Sequence, residues 1–558
     1  VKSGTAQTLD RKQRGAFFTP PAIAEFLASW AIKNKQNARI LDPTCGEAVF
    51  LLSAAAHLRS LEAQGDLRTQ LYGVDLHSES LCAAESLLAE EHGAAATLLA
   101  TDFSLLETSD QLGHKLPLMD AVIGNPPFIR YQEHRGEVRK RAATAALAQG
   151  VRLSGLASSW AAILVHASAF LKDDGRLAMV LPAELLTVHY AEPIRRWLRK
   201  RFAAVRLVFF ERLQFADAEE QVVLLAAEGS GGCKSFTLLQ VDDASDLADL
   251  HVLDPMSAEP AGEGKWTDLL LPLGQRQSFQ RIMGEHFTRL DTYGSPELGT
   301  VTGANSFFTL SDLTRRKFRI PERLLKPISP PGTKHLKRSV FSRGEWEELR
   351  CLGERVWLLH PEDVDETTMP VSLRRYLSWG QELGVDKAYK CTVRSKWWLP
   401  PAVSAPDLFF TYMSHRFPRL ITNTAGTGFL NSMHGIRLRE AHGQTAKRAL
   451  PLLCLNSVTL LGAEVFGRSY GGGVLKMEPR EAASLPVPPP LAVERAWTEL
   501  GPKRASLDRA LARGGWKGVV ERIDSILLEE TFGLTKPEVV SLRKSAEALR
   551  CRRTGECR

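Results

Sequence analysis

The residues Asp120-Ala121-Val122-Ile123-Gly124-Asn125-Pro126-Pro127-Phe128 run an apolar strand into a turn that carries an amide, two prolines and an aromatic ring. An aryl amine is a poor nucleophile because its lone pair is delocalised into the ring. Acceptors set against both amino hydrogens draw the nitrogen toward tetrahedral geometry and free that pair. Asn125 offers a side-chain carbonyl and Pro126 a backbone carbonyl, in a turn stiffened by the two prolines. Phe128 adds a face on which a flat base can stack. The competing reading is a rigid turn without chemistry, and the joint occurrence of amide, prolines and aromatic after a strand weighs against it.

Three earlier strand ends carry residues suited to a nucleoside-like ligand. Asp42-Pro43-Thr44-Cys45-Gly46-Glu47-Ala48 follows one strand and opens a helix, and its glycine permits close backbone approach. Tyr72-Gly73-Val74-Asp75 ends in an acid placed to accept both hydroxyls of a ribose. Thr101-Asp102-Phe103 supplies an acceptor and an apolar wall for an adenine ring. Any one of these taken alone is an ordinary strand-to-helix turn, so it is their succession that carries weight. The G-x-G-x-x-G fingerprint of nicotinamide cofactors is missing.

Positioning these residues is the task of an alternation of strands and helices in roughly the first 245 residues. Candidate strands are 39–41, 71–74, 97–100, 121–123, 177–181 and 205–210, and helical patterns lie at 49–63, 80–91 and 158–171. This predicts an α/β fold, an open and mostly parallel sheet covered on both faces. Residues 222–227 and 236–241 read as a closing strand pair with 229–232 as its turn. Residues 246–265, acidic and then rich in small residues and proline, read as a linker. Residues 266–485 are irregular, with many Trp, Pro, Gly and Arg, and are expected to form an α+β domain. After the stiff break at 486–490, helical periodicity at 493–513, 518–530 and 536–550 predicts a helical C-terminal segment.

Composition sets the broad class. At 558 residues, 44% hydrophobic and 24% charged, the chain has room for two or three ordinary globular cores. No apolar stretch is long enough to span a bilayer and no signal-like segment opens the sequence, so a cytoplasmic protein is expected. The eight cysteines form no C-x-x-C pair, and neither a metal site nor a disulfide framework is suggested. Residues 1–250 hold 26 Lys+Arg against 30 Asp+Glu, whereas 251–558 hold 45 against 34. A basic second half points to a polyanionic partner, against the plainer reading of a spread surface excess.

Taken together, these motifs resemble the amino-methylating, adenine-specific DNA methyltransferases of the gamma arrangement, found in restriction–modification systems, in which cofactor motifs come first and the target-recognition domain last. The family's segment before the first strand is matched by Gly15-Ala16-Phe17-Phe18-Thr19-Pro20. The resemblance implies a Rossmann-like fold that binds S-adenosylmethionine, with the segment holding Thr19 and Pro20 closing the pocket around the methionine moiety and Asp42 and Gly46 among the cofactor-binding residues. It puts the ribose on Asp75, the adenine moiety on Asp102 and Phe103, and the target amine on Asn125 and Pro126. A flipped adenine would stack on Phe128, with Phe215 as the candidate opposite wall and a core Phe as its plainer reading. Ala48 departs from the family turn, which has Gly there, and Glu47 stands where a small residue is usual.

The basic half resembles the family's recognition regions in blocks holding Asn305, Arg394, Lys396, Asn423, Asn431 and Arg468, candidates for meeting double-stranded DNA. Trp397 and Trp398 are favoured as core residues. A cognate restriction endonuclease would be a separate protein, since no nuclease-like carboxylate cluster is visible. Alternatives are a methylase of RNA bases, of glutamine side chains or of cytosine amines, or a DNA-binding regulatory protein whose catalytic half has decayed.

Overall fold

A computed structural model of the chain describes residues 19–108, 115–129, 136–155, 157–210, 222–252, 256–258, 265–362, 364–365, 367–401, 404–440, 443–470 and 473–554. The chain divides into two compact units between Leu273 and Gly274.

In the first unit the elements are, in chain order, α1 (Pro21–Ile32), β1 (Ile40–Asp42), α2 (Val49–Ser60), β2 (Leu71–Asp75), α3 (Ser78–His92), β3 (Thr97–Ala100), β4 (Met119–Gly124), α4 (Gly136–Ala148), α5 (Ser159–Ala167), β5 (Leu171–Pro182), α6 (Glu192–Arg201), β6 (Ala204–Phe210), β7 (Val222–Glu228), β8 (Phe236–Val241) and β9 (Met256–Ala258). The strands lie in the order β9-β8-β6-β7-β5-β4-β1-β2-β3. Pairing is parallel from β3 through to β5 and between β6 and β8. Side chains alternate along each strand, so one residue in two goes to each face. Leu41, Val122, Leu177 and Met179 join α5 and α6 in one core, while Ile40, Ala121, Ile123 and Ala178 join α1, α2 and α3 in the other. Burial on both faces is why these strands read as almost continuous apolar runs.

The chain steps outward from β1 to β3 and then returns to place β4 on the other side of β1. That reversal is a topological switch point, where open α/β sheets hold ligands beyond the strand carboxyl ends. Gly124 makes the junction possible, because a Cβ there would stand 2.8 Å from Asp42 Oδ1.

Two expectations are corrected. Residues 222–227 and 236–241 do not pair with each other. Instead β7 inserts between β5 and β6, antiparallel to both. As an edge strand it would leave one side open, and inserted it is buried from Val222 to Ala227. Nor are residues 246–265 simply a linker, since β9 adds to the sheet beside β8, and Trp266 just beyond is buried edge-on against Phe236 in the first unit's core. A few apolar residues in a polar stretch suffice to hold it.

The expected helical end is present, and it belongs to the second unit. Asp524, fully buried, accepts the Ser457 N–H and hydroxyl, each at 2.7 Å, and Arg553 closes on Glu464 at 2.7 and 2.8 Å. Between the helices Trp516–Asp524 and Lys536–Thr554 the chain makes a wide turn of helix, Ser525–Thr531. The second unit's largest sheet has five short strands, in the order Pro296–Leu298, His434–Ile436, Leu408–Phe410, Leu420–Asn423 and Val340–Phe341. Its core gathers Phe307, Trp346, Trp357, Tyr376 and Phe409, and Trp397 and Trp398 pack half-buried against it. No single helix among the described residues is long and apolar enough to cross a membrane.

Candidate active site

A cavity of about 420 Å³ opens beyond the carboxyl ends of β1 to β4. Residues 43–47 line it, in a loop held through its backbone N–H groups. The Thr44 N–H donates to Asp42 Oδ1 at 3.0 Å, the Cys45 N–H to the Val74 carbonyl at 2.9 Å, and the Gly46 N–H to Asp75 Oδ2 at 3.0 Å. Gly46 and Ala48 both take the left-handed conformation, with φ of +50° and +70°. Ala48 thus adopts the backbone that a glycine would adopt without strain, at a cost of about 1–2 kcal/mol.

Asp75 is already shaped by this loop and by the His77 N–H, which donates to Oδ1 at 2.8 Å. Each carboxylate oxygen keeps a second lone pair for an incoming hydroxyl. Asp102 uses Oδ1 to accept the Ser104 N–H and hydroxyl, and its Oδ2 is buried at the cavity without a partner among the described residues. Phe103 forms an apolar wall and is backed by the His166 ring at 4.9 Å. His166 itself lies within the lining, with Nε2 3.1 Å from the Leu106 carbonyl, and burial pushes its pKa down. Nothing in the apolar sequence of α5 marks this histidine, or Ser159, as belonging to a site.

Asn125 sits at the end of β4 and also lines the cavity. Its Nδ2 donates to Thr19 Oγ1 at 3.2 Å, which orients the amide and leaves Oδ1 buried without a partner. Pro126 is buried behind it. Phe128 is half-buried against both core clusters and does not line this cavity.

Two sequence candidates lie beneath the site. Asp42 is 1% exposed and outside the cavity lining, where it organises the loop above. Burial, with the Asp75 charge adding to it, pushes its pKa up to about 8. Pro20 starts α1, its carbonyl accepting the Ile23 N–H at 3.0 Å, and Thr19 alone of that pair reaches the cavity. Phe215 lies outside the described residues.

In the second unit the candidates divide. Asn423 is 3% exposed, donates to the Pro406 and Thr427 carbonyls, and accepts the Thr427 N–H. Its carboxamide is consumed by backbone, and a base edge cannot reach it. Arg468 pairs at 2.5 Å with buried Glu481, and Lys396 donates to the Val364 carbonyl at 2.8 Å. Arg394 donates to the Val301 carbonyl at 2.7 Å, tying residues 389–396 to residues 301–308. Gly303 lies so close to Lys390 that a Cβ would stand 2.7 Å from its Cβ. These two segments form one face that exposes Asn305, Ser306, Tyr389 and Lys390, whereas Asn431 is half-buried.

The chain was compared with known proteins. Residues 5–203 match the family described as N-6 DNA Methylase, and residues 263–528 match the C-terminal domain of type II methyltransferase M.Eco57I. The chain is similar to the type II methyltransferase M.XamI of Xanthomonas campestris pv. amaranthicola, 25% identical over 480 residues that cover 85% of each chain. It is also similar to M.AccI of Acinetobacter calcoaceticus, 23% identical over 483 residues and 84% of each. The type IIL restriction-modification enzyme MmeI, solved in complex with DNA, aligns with a TM-score of 0.59 at 12% identity, over 99% of this chain and 78% of that one. At that identity the likeness is one of fold.

Proposed function

This chain belongs to the N-6 adenine DNA methylase family, and from that membership we propose that it methylates the exocyclic amine of adenine at one short sequence in duplex DNA, drawing the methyl group from S-adenosylmethionine. It would serve as the modification enzyme of a restriction–modification system. The observation that carries the reading is Asn125, whose amide is oriented by Thr19 while Oδ1 stays buried and unpaired at the cavity.

The cavity fits S-adenosylmethionine in size and in sign. Glu47, Asp75 and Asp102 line it, and no Lys or Arg does among the described residues, as suits a cationic ligand. Asp75 would hold the ribose hydroxyls, the free Asp102 Oδ2 the adenine amine, and Phe103 the ring face. When bound, S-adenosylmethionine supplies an electrophilic methyl group. Asn125 Oδ1 and the Pro126 carbonyl accept the two amino hydrogens of the target base and free its lone pair. Because Asn125 is oriented before the base arrives, the energy of its acceptor is spent where charge develops on the nitrogen.

An adenine amine inside a duplex is paired and stacked, so the base must leave the helix to reach Asn125. Stacking on Phe128 offsets part of that cost, about 1–3 kcal/mol for a base on an aromatic ring. The second unit supplies the DNA contact. The face that carries Asn305, Tyr389 and Lys390 is the first choice for it, with Arg394 and Lys396 buttressing rather than reading and Asn431 and Arg468 behind them in rank.

Sequencing DNA from a methylase-free host that expresses the chain tests the reading. N6-methyladenine within one short recurring sequence is expected. Unmodified DNA, or methyl groups on cytosine alone, would refute it.

A further inference from the structure

The turn that carries the reacting groups lacks two of its own hydrogen-bond donors, because Pro126 and Pro127 have no N–H. On the side of α5 its shape is held from outside by Ser159. The Ser159 hydroxyl donates to the Pro127 carbonyl and accepts the Ile129 N–H at 2.9 Å, and the Ser159 N–H donates to the Ile129 carbonyl at 3.0 Å. Ser159 is buried and also lines the cavity. The start of α5 is itself anchored, since the Tyr190 hydroxyl lies 3.1 Å from Ser158 Oγ, receives the Trp160 Nε1–H at 3.1 Å and donates to Glu184 at 2.5 Å.

We propose that Ser159 is a positioning residue for methyl transfer, its hydroxyl setting the Pro127 peptide and, through it, the Pro126 carbonyl and the Phe128 ring. The proposal rests on the function assigned above. A residue needed only to begin a helix would use its carbonyl as an intrahelical acceptor; this one also directs its hydroxyl, as donor and as acceptor, to the two sides of Phe128. Ser159→Ala removes the hydroxyl while sparing the helix and the backbone bond to Ile129. The Pro127 carbonyl and Ile129 N–H then lose their common partner, and the turn relaxes around groups that act only in exact register.

The test uses the full chain, S-adenosylmethionine and unmethylated phage DNA, with tritiated methyl transfer followed in a single turnover. Ser159→Ala is expected to bind S-adenosylmethionine by calorimetry as the wild type does and to melt at a similar temperature. Its transfer rate at saturating cofactor and DNA should fall roughly 10- to 100-fold, as misplacement of reacting groups implies. Ser159→Thr, which keeps a hydroxyl, should recover most of that loss. A wild-type rate in Ser159→Ala would overturn the proposal, as would a rate loss matched by an equal loss of cofactor affinity. Should the alanine variant fail to fold, Ser159→Cys keeps the volume with a weaker bond, and a wild-type rate in it would overturn the proposal equally. A wild-type protein that binds S-adenosylmethionine yet transfers no methyl group would instead bring down the assigned function, and this proposal with it.

Discussion

At the cavity of the first unit, Asn125 Oδ1, Asp102 Oδ2 and Thr44 Oγ1 are buried with no partner among the described residues. In the second unit, Asn423 spends its carboxamide on three backbone groups, and Arg468 and Arg553 close onto Glu481 and Glu464. A buried polar atom left unpaired costs about 1–3 kcal/mol, so a fold does not gather several around one cavity without a return. The first set suits the ligand proposed for this cavity. The second has been used up in making the fold, whatever its residue types suggest about nucleic acid.

Replacing one member of each set should separate the two roles. Asn125→Ala should slow methyl transfer by on the order of 10²–10³-fold while leaving calorimetric binding of S-adenosylmethionine and the melting temperature nearly unchanged, since its acceptor acts as charge develops. A variant that still turns over at the wild-type rate breaks the comparison at its first term. Asn423→Ala should do the reverse, lowering stability by about 1–3 kcal/mol in urea titrations because buried backbone groups lose their partner. Its DNA affinity at a temperature where it is folded should stay unchanged, whereas Asn305→Ala should weaken DNA binding without loss of stability. If Asn423→Ala is as stable as the wild type but binds DNA poorly, the contrast between the units is misdrawn.

The same contrast explains what the sequence disclosed. Gly46, Asp75, Asp102, Phe103 and Asn125 all stand at the ends of parallel strands, and a switch point brings such ends to one place whatever the rest of the chain does. Their convergence was legible from order and spacing. Ser159 and His166 were not, because they sit on an apolar helix whose pattern reports only core packing, and it is the tertiary fold that turns them to the cavity. The insertion of β7 between β5 and β6 was equally hidden, as strand neighbours depend on pairing energies that a single strand does not encode. Asn423 misled for a local reason. It ends the strand Leu420–Asn423 where the chain turns back toward Thr427, and a short amide there serves the backbone.

A smaller effect probes the base of the cavity through pH. Asp42, pushed up to about 8 by burial and by Asp75, keeps its proton in the fold well above the pH at which it would lose it unfolded. Its contribution is therefore complete below the unfolded value of about 4 and is lost as pH rises through about 8. Between pH 7 and pH 9 this group should cost about 1 kcal/mol of stability. Asp42→Asn keeps an acceptor for the Thr44 N–H and cannot ionise. The difference in urea midpoint between variant and wild type should shift in favour of the variant on going from pH 7 to pH 9. A constant difference would mean that Asp42 is ionised in the fold.

The smallest expected effect comes from Ala48, where backbone strain, chain entropy and packing oppose one another. At φ +70° an alanine pays the steric cost of the left-handed region, about 1–2 kcal/mol, which glycine does not pay. Glycine in turn gives the unfolded chain more freedom to lose, worth roughly 0.5–1 kcal/mol. These two terms alone favour Ala48→Gly by about 0.5–1 kcal/mol, and the loss of a buried methyl group, about 0.8 kcal/mol, brings the expected change in urea titrations close to zero. Ala48 is fully buried and precedes α2, so the variant also removes a methyl group from the core that includes Ile23 and Phe50. That loss works against the gain and makes the outcome decisive about strain. A stabilised variant means that the loop holds the left-handed backbone against its own residue type, as a preformed loop beside the cavity requires. A destabilised one means that the methyl group's packing outweighs the strain, and that residues 43–48 belong with the used-up side chains of the second unit rather than with the cavity they border.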